Sequence, residues 1–130
     1  MRNSKRFTGP FFRTIGFPFV RNIWSSRIVN WFGSTQDPNI WNACTIAVRQ
    51  ARTLDELLAK LIALGQEYEM SASMALTAKQ KETYEAYLRA AGRCYRFAFQ
   101  YTRNEQIKNR MQRASEEIDR RLQMTGNLFS

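Results

Sequence analysis

The sequence predicts an all-α fold: an antiparallel bundle of three to four helices, preceded by an extended, basic, aromatic N-terminal arm. Three observations predict it. Capping signals stand where apolar stripes of three-and-four spacing begin. No stretch shows the alternating, Val/Ile/Thr-rich pattern of a strand. Charge and aromatics are also divided unevenly along the chain. Residues 1–34 hold six basic side chains, no acid and eight of the 17 aromatics, while the rest carries 14 basic and 11 acidic groups.

The arm comes first, over residues 1–35. Arg2, Lys5, Arg6, Arg13, Arg21 and Arg27 alternate with Phe7, Phe11, Phe12, Phe17, Phe19, Trp24, Trp31 and Phe32. Gly9-Pro10 and Phe17-Pro18 are turn and extended signals that break it into short pieces. Val20, Ile23, Trp24, Ile28 and Trp31 recur at helical spacing, so residues 20–32 are expected to form a short amphipathic helix that stops at Gly33-Ser34-Thr35.

The bundle is expected over residues 36–126, with a tail at 127–130. Asp37-Pro38 reads as an N-cap followed by proline at the first helical position, where a missing N–H costs nothing. Ile40, Trp41, Cys44, Ala47, Val48 and Ala51 form the stripe that follows. Thr53-Leu54-Asp55-Glu56 is a capping box, in which hydroxyl and carboxylate each accept from the other's backbone N–H. It opens a second helix with Leu57, Leu58, Leu61, Ile62, Leu64, Tyr68 and Ala72 on one face. Gly65 inside it suggests close packing.

Thr77-Ala78-Lys79-Gln80 has the same box pattern with Gln, and predicts the start of a third helix. Its stripe is Tyr84, Tyr87, Leu88, Ala91, Cys94, Tyr95, Ala98 and Tyr101, with Tyr84 and Tyr101 near enough to the ends to keep wet hydroxyls. Asn104 is the expected cap of a fourth helix bearing Ile107, Met111, Ala114, Ile118 and Leu122, and Gly126 its expected end. The core is expected to include Leu61, Leu88, Ala91, Cys94 and Ile118.

The composition points away from catalysis. The chain contains no His, which removes the commonest general base and metal ligand together. Two cysteines are too few for a structural zinc site, and both sit in apolar stripes, as buried thiols of a reducing compartment do. Ser71, Ser73 and Ser115 have no nucleophile elbow. Glu67, Glu69, Glu82 and Glu85 read as solvated face charges, since residues two apart on a helix do not face each other. No phosphate-binding glycine loop is present. The expectation is a non-enzyme without cofactor, metal or small-molecule substrate.

One stretch resembles a known family. "ARTLDELLAKLIALGQEYEMSASMA", followed by "YEAYLRAAGRCYRFAFQYT", is similar to the N-terminal helical domain of FrsA-like α/β-hydrolases, which include fungal polyketide-shortening hydrolases of pigment synthesis. Tyr87, Leu88, Arg89, Ala90, Tyr95, Arg96, Ala98 and Phe99 stand at matching places, and the likeness spans roughly residues 38–124. In that family the domain helps form the substrate cavity and supports dimer contacts. The hydrolase domain, with its Ser, Asp and His, is missing here, so the resemblance carries over no catalytic residue and implies at most a detached cap or regulatory subunit. "IKNRMQRASEEIDRRL" is also similar to the last helix of microtubule-interacting-and-trafficking domains, which hold short helical tails, although Met111-Gln112 replace the usual aromatic.

The function class that remains is attachment. Arg13, Phe17, Phe19, Arg21, Trp24, Arg27, Trp31 and Phe32 are the expected partner-binding residues of the arm. Lys108, Arg110 and Arg113 are those of the last helix. A protein partner or a second copy of the chain is favoured, because aromatics and Arg are enriched at interface hot spots. Three alternatives stay open: an anionic membrane surface, where Phe, Trp and Arg suit headgroup depth; a nucleic acid, through phosphate contacts and base stacking; and the detached hydrolase cap. No apolar run reaches membrane-spanning length. The expected setting is intracellular and reducing, with a membrane surface or the mitochondrion as variants, since the arginine-rich, acid-free arm resembles a mitochondrial presequence.

Overall fold

The computed structural model describes residues 38–129, apart from the side chains of 38–41, 44 and 45. The arm residues Arg13, Phe17, Phe19, Arg21, Trp24, Arg27, Trp31 and Phe32, the short helix expected at 20–32, the Asp37 cap and the Cys44 thiol therefore lie outside the described residues. Within them the fold is all-helical and no strand occurs. The chain divides into two compact units, residues 1–60 and 61–130, with the boundary inside one helix.

In the first unit, α1 runs Pro38–Gln50 and begins on proline as the sequence predicts. It buries Ala47 and Val48, and Ala51 just beyond it is also buried. Helix α2, Leu54–Thr77, starts here and continues into the second unit. The Thr53 hydroxyl accepts the Glu56 N–H at 3.1 Å, which is half of the predicted capping box. The other half is shifted by one residue, because the Glu56 carboxylate accepts from the Arg52 N–H at 3.3 Å. Asp55 and Glu56 place negative charge in the first turn, where exposed helix amides favour it. Leu54, Leu57 and Leu58 are buried.

The second unit holds the rest of α2, α3 (Lys81–Tyr101), α4 (Glu105–Gln123) and the single turn α5 (Thr125–Leu128). Three contacts show that α3 and α4 run antiparallel. Lys108 lies 5.4 Å from the Phe99 ring centroid, Gly92 faces Ile118, and Phe129 packs on Tyr84 at 5.5 Å between ring centroids. The expected tail is thus held by an aromatic contact at its end. Helix α2 meets α3 through Tyr68 and Tyr87, with ring centroids 5.9 Å apart, and through Gly65 and Tyr95. A Cβ added at Gly65 would lie 2.5 Å from Tyr95 Cε1, so glycine is what lets the ring lie on the α2 backbone.

Leu61, Leu88, Ala91, Cys94 and Ile118 are each at most 1% exposed, as the stripes predict. Helix α3 is buried more widely than one stripe: Ala90, Gly92 and Phe97 join Tyr84, Leu88, Ala91, Cys94, Tyr95 and Ala98. At Gly92 the neighbour is a side chain, since an added Cβ would lie 3.2 Å from Ile118 Cγ2. Tyr84 is 4% exposed and its ring packs on Phe129.

Two expected helix ends are corrected. Thr77 does not cap α3. It is the last residue of α2, and its hydroxyl donates back to the Ser73 carbonyl at 3.2 Å. Gln80 precedes α3 without a side-chain cap bond. The link is closed from the α2 side: Gln80 N–H donates to the Ala75 carbonyl, Lys79 N–H to that of Leu76, and Lys79 is left-handed at φ 60°. This is a Schellman closure with lysine where glycine is usual. A Thr-x-x-Gln pattern caps only when the chain has already left the preceding helix, and here the helix-tolerant run Ser71–Leu76 carries α2 through. At the other end, α4 stops at Gln123 rather than Gly126, which lies inside α5. The buried Thr125 donates its hydroxyl to the Arg121 carbonyl at 3.1 Å and satisfies that terminus. Asn104 caps α4 as predicted, its side-chain oxygen accepting the Ile107 N–H at 3.1 Å.

Candidate interaction surface

The charged side chains of the second unit sort into two flanks and one internal node. On the outer side of α3, Arg89, Arg93 and Arg96 follow at four and three residues, which stacks them on one helix face. From Ala86 to Asn104 the sequence has four Arg and no acid. The Arg93 guanidinium is half-buried and held below the ordinary arginine value, first by burial and then by repulsion from Arg96 and Arg89. Arg96 is relieved by Asp119 across the α3–α4 seam at 3.2 Å. Arg89 has no ion pair among the described residues. Three guanidiniums crowded on one helix face, in a stretch without an acid, make this face attractive to anionic groups. Their spacing was legible in the sequence, but the stretch reads first as an alanine and tyrosine stripe.

The three residues expected on the last helix do not share one face. Lys108 and Arg110 are two apart, so they point to different sides of α4. Lys108 leans toward α3 over Phe99. Arg110 and Arg113, three apart and exposed, lie on the flank that also carries Glu117. Lys108 therefore extends the arginine face of α3, whereas Arg110 and Arg113 form a separate, smaller basic pair.

The node sits between α2, α3 and α4. The Tyr95 hydroxyl donates to the Glu69 carboxylate, and Arg121 Nη1 meets the other Glu69 oxygen at 3.1 Å. Arg121 Nε also reaches Glu117 at 3.4 Å, and Glu117 pairs with Arg120. Burial and then the bond to Glu69 push the Tyr95 phenol well above its ordinary value. The bond from Arg120 holds the Glu117 carboxyl below its ordinary value, and the same contact raises Arg120. Glu69 is thus not the solvated face charge its sequence position suggests. Its partners lie 26 and 52 positions away, beyond any local pattern. Chemically the node holds its protons fast: near neutral pH Tyr95 stays protonated and Glu69 is matched by Arg121. It ties three helices together.

Among the described residues no group of three His, Cys, Asp or Glu could hold a metal ion, and the Cys94 side chain is buried. No described helix is long and apolar enough to cross a membrane. Comparison of the chain with protein-family models, with curated proteins and with solved structures finds no match.

Proposed function

We propose that this protein is a non-catalytic interaction and assembly subunit, in which the arm anchors a helical body to a protein partner. The observation that carries the reading is the division of the sequence. Six basic groups, no acid and eight aromatics are gathered in 34 residues beside a nearly balanced body. Aromatic rings and arginine supply most of the energy at the centres of protein interfaces. The arm has one Lys against five Arg, a balance that favours planar, bidentate contact over diffuse attraction to phosphate.

The body supports this division of labour. Its second unit builds a core from Leu61, Leu88, Phe97 and Ile118 and locks three helices with the Glu69 node. Lys108, Arg110 and Arg113 add secondary contacts for acidic groups of the partner.

The test is affinity capture with the full chain, comparing Trp24→Ala and Trp31→Ala at low and moderate salt, with anionic vesicles as a separate bait. A protein anchor predicts that each Trp variant weakens capture by about 2 kcal/mol or more, while salt acts weakly on the desolvated rings. A loss of about a thousandfold between 50 and 200 mM salt would point to nucleic acid. Binding to vesicles alone would point to a membrane surface. Full-strength capture by both Trp variants sinks the anchoring arm.

A further inference from the structure

Helix α2 has an outer face that carries two exposed methionines. Met70 and Met74, one turn apart, are 69% and 72% exposed. Ala63, Gln66 and Ser73 are exposed around them, opposite the buried Leu61, Tyr68 and Ala72. From Leu61 to Ala78 there is no Lys or Arg, in a chain that has 20. Of the two acids in that stretch, Glu69 is engaged by Tyr95 and Arg121, which leaves Glu67 as the exposed charge. The face from Ala63 to Met74 is about 16 Å long at the helical rise. Single exposed methionines need no explanation, but two in register on a face without positive charge select what can lie there.

We infer that this face takes the aromatic, basic arm of a second copy of the same chain. The inference rests on reading the arm as an anchor and names its partner. Charge is the first argument. The arm carries six positive groups and no acid, so the arginine face of α3 and the Arg110/Arg113 flank of α4 repel it, while the basic-free face of α2 does not. Glu67 stands where an arm arginine finds a carboxylate. Side-chain chemistry is the second argument. Thioethers are flexible and pack favourably against aromatic rings, and the arm supplies Phe17, Phe19, Trp24 and Trp31. Self-association of a chain with net charge +9 also requires contact where like charge is least, and α2 provides that place. One arm and one face per chain give a closed pair by reciprocal exchange, or a longer assembly if the exchange does not close.

The experiment is sedimentation velocity on the full chain over a wide range of concentration, with two double variants. Met70→Lys/Met74→Lys spoils the face, and Trp24→Ala/Trp31→Ala spoils the arm. Helical circular dichroism establishes that both are folded. The wild type is expected to self-associate, and each double variant alone to weaken association by about 30-fold or more, the loss of a hot spot. Mixing the two variants is expected to restore a one-to-one dimer, because one intact arm and one intact face remain. A wild type that stays monomeric, or a mixture as monomeric as its components, overturns the inference. Continued capture of a different protein through Trp24 in that case leaves the anchoring reading standing. Self-association untouched by either double variant removes the arm from the assembly altogether.

Discussion

Helices α3 and α4 lie side by side, yet they are stabilised in different ways. Nine residues of α3 are buried against three of α4, namely Met111, Ser115 and Ile118. Helix α3 can therefore begin after Gln80 without a side-chain cap, since packing holds it. Helix α4 has only a narrow apolar seam and compensates at its surface. It is capped by Asn104, joined to α3 by Asp119 and to α2 by Arg121, and braced internally by Glu117 with Arg120 and Arg121. A helix with little to bury depends on its ends and its charges, and a helix with much to bury does not.

The largest effect is expected in α3. Phe97 has no exposed surface, so Phe97→Ala should cost about 3–5 kcal/mol, measured by denaturant unfolding. A cost below about 1 kcal/mol would mean that α3 is not the more deeply packed partner.

Tyr95→Phe comes next. It keeps the ring against Gly65 but removes a hydrogen bond to a carboxylate, worth about 1.5–3 kcal/mol. The pH dependence follows from the raised phenol pKa. The folded state holds the Tyr95 proton after an unfolded tyrosine, with its ordinary value of about 10, has lost it. The wild-type contribution is complete below that value and declines as pH rises above it. Stability profiles of wild type and variant should converge from pH 10 upward. Parallel profiles would detach Tyr95 from the node.

Asn104→Ala should destabilise by about 1 kcal/mol through loss of the α4 cap. The matching change at the start of α3, Gln80→Ala, should stay within about 0.5 kcal/mol. Thermal melts of the two variants check the contrast, and equal shifts would erase it. The smallest change should be a gain. Lys79 holds a left-handed backbone that glycine adopts without strain, so Lys79→Gly should add about 0.5–1 kcal/mol. A loss would show that the lysine side chain has a role of its own there.

Local chemistry was readable without the fold. Pro38 opens α1, Thr53 and Asn104 cap α2 and α4, and the stripes name Leu61, Leu88, Ala91, Cys94 and Ile118 as core, because caps and periodicity act over a few residues. The same local reading failed at Thr77-Gln80 and at Gly126. There the question was whether one helix had already ended, and that is decided by bonds such as Gln80 to Ala75 and Thr125 to Arg121. For the candidate surface, the sequence supplied the basic residues but not their faces. Whether Lys108 joins Arg89, Arg93 and Arg96 or stands with Arg110 depends on how α4 is rotated against α3. The Glu69–Tyr95–Arg121 node, and the solvent-facing side of α2 with Met70 and Met74, are decided by contacts between residues far apart in sequence. The sequence by itself determined an all-helical body beside a basic aromatic arm, since propensity, capping and charge are properties of neighbours along the chain. Tertiary structure alone decided which polar groups turn inward and which apolar ones stay in water, because burial depends on what the rest of the chain brings alongside.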